Sequence, residues 1–197
     1  MADFKQTPSQ TVGPYFAYGL TAKQYGYPQT SIAEGVLVGD DTEGERITLI
    51  GRVLDGEGKP VSDAMVEIWQ ADAQGRYTHP ADPRGSNSTF VGFGRLGTGT
   101  DPQNRFMFQT VKPGAVAEGQ APHITLILFM RGLLTHLYTR VYFSDEAEAN
   151  ASDPVLTAVP ADRRGTLIAA REAGANGVEY RIDIHMQGPD ETVFFDA

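Results

Sequence analysis

Along much of this chain apolar residues recur at every second position, the period of a strand with one face buried and one face solvated. In RFMFQTV, residues 105–111, Phe106, Phe108 and Thr110 share a face. In THLYTRVYF, Leu137, Thr139, Val141 and Phe143 oppose Tyr138, Arg140 and Tyr142. In EYRIDIHMQG, Tyr180, Ile182, Ile184 and Met186 oppose Arg181, Asp183, His185 and Gln187. ERITLIGRVLD reads as a further strand, GEGKP as a turn, and DAMVEIWQAD as the strand returning from it. HITLILFMRG is apolar on both faces, which predicts a central strand.

Helical periods are scarce. SDEAEANA offers Ser144 as an N-cap with acidic residues in the first turn. PADRRGTLIAAREA predicts a helix from Pro160 or Asp162 to about Ala173, interrupted by Gly165. Residues 1–45 carry no period and are expected to be irregular. The pattern predicts a single all-β domain over residues 1–197: an antiparallel β-sandwich at 46–197, an irregular N-terminal arm at 1–45, and one or two short helices.

Composition narrows the function classes. The chain has 197 residues, enough to bury a core without crosslinks, and it has no cysteine, which excludes disulfides, thiolate chemistry and Cys-ligated metals. Its net charge of −9 argues against nucleic acid or an anionic membrane as a partner. No segment is apolar over the length of a membrane span, and MADFKQTPSQ lacks the order of a signal peptide, so a cytoplasmic location is expected.

Candidate chemistry centres on four histidines and one arginine. His185 falls on the polar face of its strand and is expected at the surface, as is His136, which opens a strand; His79 lies in the loop RYTHPADPRG. His123 alone sits in an apolar strand, where one histidine without a ligand cluster reads as a packed, hydrogen-bonded residue. The glycine-rich DPRGSNSTFVGFGRLGTG lacks both phosphate-loop patterns and reads as a loop. Asp55, Asp63 and Asp72 flank turns, where aspartate bonds locally. Strict alternation puts Arg131 on the face of His123, Thr125, Ile127 and Phe129. There it either snorkels to water or grips an anion.

Several segments together are specific. TPSQTVGPYF, GRVLDGEGKPVSDAMVEIWQADAQGRY, VGFGR, TVKPG, APHITLILFMRG, TRVYF and YRIDIHMQGPDETVFFD run in this order over nearly the whole chain. They identify it as resembling the intradiol ring-cleavage dioxygenases. The middle segment alone is also similar to transthyretin-like β-sandwich modules, which leaves a non-enzymatic binding domain as the alternative.

The resemblance implies a ferric, non-haem enzyme that opens protocatechuate (3,4-dihydroxybenzoate) between its hydroxylated carbons with O2, giving 3-carboxy-cis,cis-muconate. In the family's catalytic chains Fe(III) is held by two tyrosines and an H-x-H pair. Here His123 matches the first histidine and Thr125 replaces the second. Ala115-Val116 stand where one tyrosine belongs, the loop HPADPRGSNST offers no other, and Gln120 stands where an arginine is expected. Tyr77 does not match either ligand. The resemblance therefore implies a chain that binds no metal itself, His123 being a vestigial ligand position. It would pair with a homologous iron-binding beta chain, in several alpha–beta pairs. Its contribution to the shared pocket would be Thr11, Gly13, Pro14 and Tyr15 from the arm, together with Arg131 for the substrate carboxylate.

Overall fold

The computed structural model describes residues 11, 13, 15–85 and 89–196. Eight strands carry the chain: β1 Arg46–Leu54, β2 Met65–Trp69, β3 Phe93–Gly97, β4 Arg105–Val111, β5 His123–Phe129, β6 Leu137–Phe143, β7 Ile168–Gly174 and β8 Gly177–His185. They join in the order β3-β2-β5-β6-β7-β8-β1-β4. The strip folds over at β7. Its first residues, Ile168 and Ala169, pair with Tyr142 and Phe143 of β6, and the rest pair with β8. The two halves face each other across one core. Ile68, Ile124, Leu126 and Val141 come from one side, and Leu49, Phe106, Phe108 and Tyr180 from the other, all inaccessible to solvent.

The alternation in β4, β6 and β8 is present as the pattern predicts, and β5 is central, between β2 and β6. Three expectations change. The sandwich is mixed rather than purely antiparallel, because β1 runs parallel to β8 and β6 parallel to β7. β2 does not return along β1; beyond a single bridge between Leu54 and Pro60 it crosses to the opposite half. β2 is buried on both faces at Met65–Ile68, and it meets that burial by pairing with β3 and β5. The glycine-rich segment contains β3. Gly94 is required there: a Cβ would stand 2.8 Å from Leu37 Cδ1 and 3.1 Å from the Glu34 carbonyl oxygen.

The helices also differ from expectation. Residues 160–173 form turns, a 3-10 segment at Arg164–Leu167 and then β7, because pairing to β6 and β8 overrides a weak helical period. Ser144 does not cap a helix; its Oγ accepts the Arg171 N–H at 3.0 Å, and α2 begins at Ala147 (Ala147–Ser152). The capped helix is α3, Pro154–Ala158, where the Asp153 carboxylate accepts the N–H groups of Val155 and Leu156. The arm is not wholly irregular. It holds one short helix, α1 (Phe16–Leu20), and a 3-10 turn at Ala22–Tyr25. Further along, Gly35 and Leu37 exchange backbone hydrogen bonds of 2.8 Å with Gln109, covering the free edge of β4.

Candidate functional site

β5 ends at Phe129, so Arg131 is not a strand residue continuing the His123 face; it stands in the turn that follows. Its side chain is 60% exposed, and its Nε forms an ion pair with the carboxylate of Asp63, which is mostly buried. Asp63 was expected to serve its own turn, and instead it holds an arginine from a distant segment. At the next residue, the Gly132 N–H donates to Thr11 Oγ1 at 3.3 Å, a bond across 121 residues of sequence. Beside it the Phe16 ring lies against Phe129 at 5.7 Å. Gly13 is exposed, and its carbonyl accepts the Phe16 N–H at 3.1 Å, closing the turn that presents Tyr15, 81% exposed. Thr11 is thus brought beside the turn that holds Arg131, and Gly13 and Tyr15 are exposed on the segment that follows Thr11. Pro14 lies outside the described residues.

His123 occupies a different environment. It is buried, and its Nδ1 lies 2.9 Å from the Ala121 carbonyl, so the N–H there donates to that oxygen. Burial pulls its pKa below the ordinary histidine value and outweighs the carbonyl, which favours the neutral ring. Across the ladder stands Tyr142, whose hydroxyl donates to Asp153 at 3.0 Å. Burial pushes that phenol up to about 12. Thr125 sits between Trp69 and Arg140. Tyr77 stacks on Trp69 with rings 5.5 Å apart and 2° from parallel, and burial raises its pKa too.

These residues do not fit ferric iron. A hard trivalent ion needs anionic oxygens, and of the nearby phenols Tyr142 is engaged by the Asp153 carboxylate while Tyr77 is stacked on Trp69. Among the described residues no group of three or more His, Asp or Glu side chains is placed to hold a metal. Of the other histidines, His79 is exposed, edge-on to Trp69, while His185 is half-buried, as is His136 between Phe129 and Tyr138, with Nε2 3.0 Å from the Tyr138 hydroxyl.

The family model for dioxygenases matches residues 13–188. The alpha chain of protocatechuate 3,4-dioxygenase from Burkholderia cepacia is 56% identical over 198 residues, covering 100% of both chains. The chain belongs to the intradiol dioxygenase family. The beta chain of the Burkholderia cepacia protein is also related, at 38% identity over 76% of this chain and 67% of its own. An intradiol ring-cleavage dioxygenase from Tetranychus urticae shares the fold with a TM-score of 0.61 and 20% identity, over 92% of this chain and 94% of its own. A family match of this span sets aside the transthyretin-like reading, which rested on the middle segment alone. Within the intradiol fold, one residue with a role in this arrangement escapes sequence reasoning. Asp63 looks like any turn aspartate.

Proposed function

We propose that this chain is the non-iron-binding alpha chain of a protocatechuate 3,4-dioxygenase and completes the pocket of an iron-bearing homologous beta chain. The observation that carries this reading is the meeting of Thr11 with Gly132, which sets the arm beside Arg131 on an open surface. Asp63 meets Arg131 at Nε, and the exposed guanidinium is offered to a planar carboxylate, the pairing for which an arginine fork is suited. Gly13 and Tyr15 supply a wall beside it, rigid aromatic surface without charge. The partner's Fe(III) supplies activation of the catechol toward O2. This chain's residues bind the far end of the substrate, orient the ring and exclude water. A cytoplasmic setting and several alpha–beta pairs belong to the same proposal.

Co-expression with a homologue carrying H-x-H and both tyrosines tests it. The expected result is one co-eluting complex with protocatechuate-dependent oxygen uptake, and no such activity from this chain alone. Separate elution, or a coloured, iron-containing and active homo-oligomer of this chain, overturns the reading.

A further inference from the structure

The hairpin from β7 to β8 turns on Ala175 and Asn176, and its last ladder pair is Gly174 with Gly177. Both glycines are demanded by the turn. Gly177 has a φ of +126°, a conformation that other residues rarely adopt. At Gly174 a Cβ would stand 2.1 Å from Glu179 Oε1. Backbone geometry therefore places a glycine directly after an asparagine, and that pair has a chemistry of its own.

In an Asn-Gly unit the glycine nitrogen reaches the asparagine Cγ easily, because the glycine carries no Cβ to obstruct it. A C–N bond forms, the side-chain amide leaves as ammonia, and a succinimide ring results. Water then opens the ring at either carbonyl. The products are aspartate and its isomer, in which the main chain runs through the side-chain carbon. Water is the only co-reactant.

The fold leaves this route open at Asn176. Asn176 and Gly177 are both exposed, and apart from its chain neighbours nothing lies within 4 Å of the Cβ position of Gly177. Among the described residues the Asn176 amide has no hydrogen-bond partner. The attacking nitrogen belongs to the terminal ladder pair, two glycines without side chains to pack, and such ends open at little cost. Two other asparagines are placed differently. Asn150 is buried, donates to the Phe143 carbonyl at 2.8 Å and precedes Ala151. Asn104 precedes Arg105, whose backbone N–H is held by the Asp101 carboxylate at 3.2 Å.

We propose that Asn176 is a modification site, where the side-chain amide of the folded chain converts to a carboxylate through a succinimide with Gly177. The change adds a negative charge to a hairpin that already pairs Glu172 with Glu179. The isomer also lengthens a tight turn by one backbone atom, which disturbs the register that the turn sets. This site is independent of the proposed role of Arg131.

The full-length chain is incubated at mildly alkaline pH, folded and in urea, and peptide mass spectrometry reads the replacement of amide by acid at each asparagine. In the folded chain Asn176 should convert about tenfold or more ahead of Asn104 and Asn150, and within about tenfold of its rate in urea, the cost of opening a frayed end. Asn176→Gln, which would need a larger ring, should show no conversion at this position. A rate at Asn176 no greater than at Asn104 and Asn150, a folded rate below that range, or equal conversion of the Asn176→Gln variant overturns the proposal.

Discussion

Asp63 and Arg131 are joined by an ion pair that links the segment before β2 to the turn after β5, with the arginine Nε against a carboxylate oxygen of Asp63. The pairing orients an arginine whose side chain stays 60% exposed. Asp63 is therefore a positioning residue in the proposed pocket. Asp63→Asn is expected to raise KM for protocatechuate about two- to fivefold, the worth of a partly exposed pair, with kcat little changed. A lowered KM would mean that Asp63 competes with the substrate carboxylate instead.

Removing the cation itself has a larger effect. In the assembled enzyme, Arg131→Ala should raise KM for protocatechuate by roughly 10–100-fold, the range for a charge-assisted hydrogen bond. Catechol, which has no carboxylate, should be affected far less. Steady-state oxygen uptake on both substrates makes the comparison, and an equal loss on both removes Arg131 from substrate recognition.

Restoring the second histidine should not restore a metal site in this chain. Tyr142 is committed to Asp153 and Tyr77 to its stack on Trp69, so no phenolate is available beside His123. Thr125→His is expected to leave the iron content per complex unchanged by elemental analysis. Extra iron with a visible charge-transfer band would contradict the geometry.

Asp153 predicts a stability effect. It is fully buried and accepts from the Ala121, Val155 and Leu156 N–H groups and the Tyr142 hydroxyl. Burial alone would raise its pKa; those donors outweigh burial and hold it below its ordinary value of 3.8. Its contribution is therefore complete above that value and is lost as pH falls through the lower folded-state pKa. Asp153→Ala should cost about 3 kcal/mol at neutral pH by urea denaturation, from a lost cap and orphaned donors. The gap to the unaltered chain should narrow as the pH is lowered through the acid range. A gap that widens there would put the wrong sign on the carboxylate.

The alternating faces of β4, β6 and β8 and the doubly apolar β5 were legible because burial on one or both faces writes itself into every second residue. β3 was not, since Gly94 is there for close approach to Leu37, and Gly97 for close approach to Tyr25, rather than for strand propensity. The segment 160–173 misled because local helical period competes with ladder pairing, and only the neighbours β6 and β8 settle that contest. The proposed site residues on the arm and Arg131 come from the resemblance; the Asp63 partner of Arg131 was not legible, for an aspartate near a turn carries no mark of what lies across from it.

By itself the sequence determined the β class, the absence of cysteine chemistry and the missing anionic ligands, each a property of residue type and local order. Tertiary structure alone decided that the strip folds over at β7, that two strand pairs run parallel, that Thr11 meets Gly132, and that Arg131 is paired with Asp63. Those relations join residues far apart in the chain. Their energies depend on distance and burial in three dimensions, which no local pattern encodes.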